Sequence, residues 1–174
     1  MYIVQKLKNV NRFFGRELIQ QMLSILTGLS KDKVKDKNIC IAFSKSVGKK
    51  AICGTTTMKV YCTQLNLKPK IIFTNTETLP VAKYTIEGIF LATEGVITLN
   101  ECYRKLKGEH VENQDSIILA ELLKKENEIA FIIGTAQNQD VIFYRKNNLL
   151  PRDEIINKVI DILPSDKKIT IAKV

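Results

Sequence analysis

Hydrophobic positions change period along this chain, and the changes divide it into a head and a body. Ile3, Leu7, Val10, Phe14, Leu18 and Met22 recur at helical spacing, with Lys6, Lys8, Arg12 and Arg16 among them, so the first 22 residues predict a basic amphipathic helix. Gly15 inside it weakens that helix by about 1 kcal/mol. The run Ser30-Lys31-Asp32-Lys33-Val34-Lys35-Asp36-Lys37 has no apolar periodicity and reads as a solvated connector. A boundary is therefore placed after residue 37, with a basic helix and connector over 1–37 and a body over 38–174.

In the body, apolar runs of strand length alternate with helical patterns. Strands are predicted over 50–53, 70–73, 89–93, 129–133 and 168–173, and helices over 56–65, 98–106, 116–125 and 152–163. Consecutive apolar residues belong to strands buried on both faces, and their alternation with helices marks a parallel sheet covered on both sides. The predicted fold class is α/β: a three-layer, Rossmann-like, mostly parallel sheet with flanking helices, preceded by the N-terminal amphipathic helix. Thr98 with Glu101 three residues on forms a capping box for the second helix. Asp115 or Ser116 starts the third, and Pro151 enters the fourth at its first turn.

Composition fits this picture. The 174 residues are 45% apolar and 26% charged with a mean hydropathy of -0.04, as in one globular domain, which excludes disordered, collagen-like and disulfide-rich miniature classes. No uncharged apolar run approaches the roughly 18 residues of a spanning helix. The first residues lack a signal-peptide core, so the expectation is a cytoplasmic chain without a membrane span. Cys40, Cys53, Cys62 and Cys102 form no C-x-x-C pair and read as reduced thiols. The net charge of +9 is uneven: residues 1–50 carry a net +8, 51–144 a net −2 and 145–174 a net +3. A basic amphipathic head can pack on its own domain, an acidic partner, a membrane surface or RNA. The aromatic-plus-basic clusters of single-strand readers are absent, which argues against nucleic acid.

The residues that end the strands carry more information. They are Cys53-Gly54-Thr55-Thr56-Thr57, Thr74-Asn75-Thr76-Glu77, Thr93-Glu94-Gly95 and Gly134-Thr135-Ala136-Gln137-Asn138, all small, polar and rich in donors. In open parallel sheets the ligand crevice lies beyond the carboxyl ends of the strands, where helix N-termini point free N–H groups at an anion. Gly54, Thr55, Thr56, Thr57, Thr93, Glu94, Gly95, Gly134 and Thr135 are therefore the ligand-binding set, suited to a small anionic or nucleotide-like ligand. Glu94 can accept hydrogen bonds from ligand hydroxyls, or simply complement the start of the next helix. Gly-Thr junctions also serve as turn and cap without any ligand.

Catalytic patterns are sparse. Val47-Gly48-Lys49-Lys50 is not a phosphate-binding P-loop, because no Ser or Thr follows the lysine and Phe43 stands where the first glycine belongs. His110 is the only histidine and no Gly-x-Ser-x-Gly elbow exists, which leaves Cys53 or Cys62 with His110 as the remaining nucleophile–base pairing. The acids lie along helices apart from Glu77, Glu87 and Glu94. No catalytic residue, metal ligand or cofactor is assigned.

Three stretches are collinear with a known pattern: Ile25-Leu26-Thr27-Gly28; Gly48-Lys49-Lys50-Ala51-Ile52-Cys53-Gly54-Thr55-Thr56; and Ile86-Glu87-Gly88-Ile89 with Thr93-Glu94-Gly95-Val96-Ile97-Thr98-Leu99. Together with 129–136 and the final helix and strand, they resemble the region that follows the catalytic domain in SpoIIE-type serine/threonine phosphatases. Thr55 replaces the second glycine of that family's Cys-Gly-Gly-Thr-Thr turn and Phe90 replaces an aspartate. The Pro-x-His-x-Asn-Pro-like loop is missing after Ala136. The phosphatases hold two metal ions with aspartates that include an Asp-Gly pair, and this chain has no Asp-Gly. The resemblance thus implies a non-catalytic ligand-binding or regulatory module, with a SpoIIE-type phosphatase or another signalling protein as partner. A shorter likeness, in Cys53 to Thr57 and Ile71-Ile72-Phe73-Thr74-Asn75, is to the effector domain of DeoR-type repressors. It implies a sugar-phosphate sensor or an isomerase-like protein with Glu94 or Glu77 as base.

Overall fold

Among the described residues seven strands and five α-helices form, in a largely alternating order. A computed structural model describes residues 22–74, 81–136, 144 and 146–174. In chain order they form β1 (Met22–Thr27), α1 (Asp36–Ser44), β2 (Lys49–Cys53), α2 (Thr55–Gln64), β3 (Lys70–Thr74), β4 (Val81–Ile86), β5 (Ile89–Thr93), α3 (Val96–Leu106), α4 (Gln114–Lys125), β6 (Glu128–Ile133), α5 (Arg152–Ile162) and β7 (Lys168–Lys173). The sheet order is β3-β4-β5-β2-β1-β6-β7. Neighbours from β5 to β7 pair in parallel, whereas β4 is antiparallel to both of its neighbours. The α/β, mostly parallel architecture is the one expected.

Period-2 alternation splits the core into two layers. Leu23, Ile25, Ala51, Cys53, Leu91, Ile129, Phe131 and Ile133 face α3, α4 and α5 in one cluster. Leu26, Ile52, Ala92 and Ile132 face α1 and α2 in the other, where Phe43 meets Tyr61 edge-on with ring centroids 5.7 Å apart. A strand buried on both faces takes apolar or small residues on both, which is why β1 reads Met-Leu-Ser-Ile-Leu-Thr, with Ser24 and Thr27 as its small polar members, and is buried throughout. Each fully buried Leu, Ile or Phe adds about 1.5–3 kcal/mol of transfer free energy.

From β1 the chain passes to β2, then to the edge strand β3, returns inward through β4 and β5, and crosses to the other side of β1 for β6 and β7. The helices before β3 and those after β5 lie on opposite faces, so the junction between β1 and β6 is a topological switch point with a crevice at its carboxyl end.

Four expectations need correction. Met22 opens the central strand instead of closing a helix; the predicted helix over residues 1–21 lies outside the described residues. Because β1 pairs with both β2 and β6, a boundary after residue 37 cuts the sheet domain. The supposed connector is ordered by its own carboxylates: Asp32 Oδ1 accepts the Val34 N–H at 3.1 Å and buried Asp36 accepts the Ser30 N–H at 3.2 Å. α1 then continues into apolar residues. β4, absent from the expectation, joins β5 through a tight turn at Glu87-Gly88. Among the described residues no helix is long and apolar enough to cross a membrane.

Candidate functional site

Four adjacent strands, β5, β2, β1 and β6, end on one rim, and the turns that follow them touch. After β1, Gly28 takes φ +78 and donates its N–H to Thr57 Oγ1 at 3.0 Å. After β2, Gly54 takes φ +133 and donates to the Thr93 carbonyl at 2.9 Å. After β5, Gly95 takes φ +108, and a Cβ there would stand 2.9 Å from Gly54 Cα and 3.1 Å from its nitrogen. Real Cβ atoms do not approach backbone so closely, so this glycine pair is what allows the starts of α2 and α3 to meet.

Those two helices begin in the same way. Glycine at each cap offers no side chain, and the first helical bonds run from Met58 to Gly54 O and from Leu99 to Gly95 O, each 2.9 Å. The N–H groups of Thr55, Thr56 and Thr57, and of Val96, Ile97 and Thr98, have no acceptor among the described residues. A helix start satisfies such donors with a side chain, water or a ligand. α4 shows the contrast: Asn113 Oδ1 accepts from Asp115 N at 3.0 Å and from Ser116 N at 3.3 Å. Thr98 therefore does not head a capping box. It is a buried residue of α3, and Glu101 instead accepts the Ser116 hydroxyl at 3.0 Å.

Arg152, the first residue of α5, closes the other end of the rim. Its side chain is 11% exposed, and Nη2 donates to the carbonyls of Gly134 at 2.7 Å and Ala136 at 2.8 Å. The guanidinium packs against Gly28, where any Cβ would overlap it. Nη1 has no acceptor among the described residues, and Nε lies 3.8 Å from Asp153 Oδ1, beyond hydrogen-bond reach. Asn100 on α3 fixes the approach to this arginine. It donates to Val96 O at 2.9 Å and Leu150 O at 3.0 Å and accepts from Leu150 N at 2.9 Å.

The result is a cleft of about 430 Å³ that Arg152, Gly28, Gly54, Thr56, Glu94 and Gly95 help to line. That volume falls within the roughly 300–1,000 Å³ of small-molecule sites. A guanidinium with free donors and two uncapped helix starts, each acting as about half a positive charge, give the cleft an electrostatic character that favours an anion.

The structure sorts the predicted residues. Gly54, Thr55, Thr56, Thr57, Glu94 and Gly95 line the cleft, with Thr57 holding Gly28 through its hydroxyl. Thr93, Gly134 and Thr135 do not. Thr93 is buried with its hydroxyl beside the Cys53 thiol. Gly134 is where the turns after β1 and β6 cross, since a Cβ there would strike the Leu29 backbone. Thr135 donates its hydroxyl to Val174 O at 2.7 Å and accepts the Lys31 N–H at 3.3 Å, so it clamps the end of β7. β3 itself stands two strands beyond β5; the residues that follow it, Asn75, Thr76 and Glu77 among them, lie outside the described residues.

Other candidate chemistry separates. Burial pushes the Cys53 thiol up to about 12, so it carries no thiolate at neutral pH. His110 is exposed beyond the C-terminus of α3, a helix whose 11 residues put roughly 16 Å between that end and the rim. Cys62 packs on the opposite face of the sheet from α3, so neither cysteine pairs with His110. Glu87 sits at the far end of β5 from Glu94. Among the described residues no group of three or more His, Cys, Asp or Glu is placed to hold a metal.

Arg152 was the missed residue, and a signal for it existed. A cation in the first turn of a helix opposes the macrodipole, and such local conflicts concentrate at functional sites. Comparison of the chain with family models, curated proteins and solved structures finds no match.

Proposed function

We propose that this chain is a non-catalytic binding module whose rim cleft holds a small phosphate-bearing ligand. This is an accessory role of the kind that the resemblance to the region after SpoIIE-type catalytic domains implies. The single observation that carries the reading is the convergence of Arg152, with unused guanidinium donors, and the uncapped starts of α2 and α3 on one cleft. A plain strand-to-helix junction needs no guanidinium, only 11% exposed, set against it with donors to spare. Phosphate suits the set because its several oxygens can accept from amide, hydroxyl and guanidinium donors together. Any signalling partner would then read the occupied state of the cleft.

The test is calorimetric titration and thermal unfolding of the full chain with inorganic phosphate and phosphomonoesters. Saturable binding that raises Tm is expected, since a ligand at 100 times its Kd adds about 2.7 kcal/mol. Arg152→Lys, which retains charge but loses the planar fork, should weaken binding by tenfold or more. Binding by wild type that is unchanged in Arg152→Lys and in Thr56→Ala would remove the cleft from consideration.

A further inference from the structure

The charges of the cleft are not uniform, and their order along the rim is fixed by the sheet. Arg152 is bonded to the turn after β6, while Glu94 follows β5 directly. The turns after β1 and β2 lie between them. Nη1 of Arg152 lies against Gly28 after β1, so two strand spacings separate the free guanidinium donor from the end of β5, or about 10 Å. Glu94 is exposed, lines the cleft, and has neither ion pair nor hydrogen bond among the described residues. Between the poles run the free amides of α2 and the hydroxyls of half-buried Thr55 and exposed Thr56.

A bare phosphate fills a small part of about 430 Å³ and reaches one pole only. A carboxylate without a partner at the other pole repels a second anionic group and accepts from hydroxyls. Resting on the anion-cleft reading above, we propose that the ligand is an extended phosphomonoester whose far end carries hydroxyl donors. It lies across the strand ends with phosphate at Arg152 and hydroxyls at Glu94. Glu94 is the specificity determinant: it rejects bisphosphates and unsubstituted alkyl phosphates and selects a phosphorylated polyol, sugar or nucleoside.

Three probes test this on the full chain by calorimetry: inorganic phosphate, n-pentyl phosphate and ribitol 5-phosphate. Wild type should bind ribitol 5-phosphate about tenfold tighter than n-pentyl phosphate, the scale of a hydrogen bond to a charged group. Glu94→Gln should reduce that preference to about twofold while leaving the affinity for inorganic phosphate within twofold. Equal binding of the two esters by wild type, or a preference that survives Glu94→Gln, overturns the assignment of Glu94 yet leaves the anion cleft standing. Failure of all three probes to bind wild type overturns the cleft and this proposal together. Glu94 is exposed, so Glu94→Gln threatens no packing, and an unchanged melting curve without ligand confirms that its effect lies in binding.

Discussion

Gly95→Ala isolates the contact on which the cleft is built. At φ +108 an alanine occupies backbone space that L residues avoid, at a cost of about 1–3 kcal/mol. Its Cβ would also stand 2.9 Å from Gly54 Cα and 3.4 Å from the Cys53 carbonyl carbon. Backbone cannot rotate away as a side-chain tip can, so overpacking adds about 1–3 kcal/mol more. The sum is about 4 kcal/mol, which for a chain of this size lowers Tm by roughly 10 °C. Gly88→Ala is the matched control: Gly88 also has positive φ, at +74, but nothing lies within 4 Å of its added Cβ, so only backbone strain of about 1–2 kcal/mol remains. Thermal and urea unfolding of the two variants measures the difference. A Gly95→Ala variant no less stable than Gly88→Ala would refute the claim that two helix starts are held in contact through this glycine. If the contact is as described, Gly95→Ala also weakens phosphate binding, because it displaces the amides of α3.

Other consequences follow from the same physics. Glu126 is 1% exposed and pairs with Lys49 at 2.7 Å while its second oxygen has no partner, so Lys49→Met should cost about 3–5 kcal/mol in urea unfolding by stranding a buried charge. Joining it with Glu126→Leu should recover most of that loss, and additive single effects would contradict it. Asn100→Leu removes both the donors and the acceptor that fix Leu150; it should destabilise by about 2–3 kcal/mol and weaken phosphate binding through the displaced Arg152, whereas unaltered affinity would show that the arginine is held independently. Burial raises all four thiols, Cys40 to about 11 and Cys53 to about 12. Unfolded thiols release protons near pH 8.5–9 while folded ones do not, so the unfolded state binds fewer protons above that pH and stability falls as pH rises toward 11. The slope is about 1.4 kcal/mol per pH unit for each thiol fully titrated only in the unfolded chain. Denaturation curves from pH 8 to 10.5 should show this fall, and the native thiols should resist a disulfide reagent at pH 8 until the chain is unfolded.

Local pattern alone determined most of the sheet and its helices. β2, β5, β6 and β7 and the helices α2 to α5 were legible because each buries a face of fixed period, and that period is written in consecutive residues. The glycine-threonine turns were legible as well, since a strand that stops at Gly54 or Gly95 must turn there. Three features were decided only in three dimensions. β1 abuts a helical pattern ending at Met22, and its strand state depends on parallel partners from residues 49–53 and 128–133. β4 is held by antiparallel pairing on both sides, which no local period records. Arg152 reads as an ordinary helix start until the chain brings Gly28, Gly134 and Ala136 around it. Periodicity reports which face of an element is buried; which distant turns share a rim, and therefore where charge gathers, is set by strand order, a property of the folded chain as a whole.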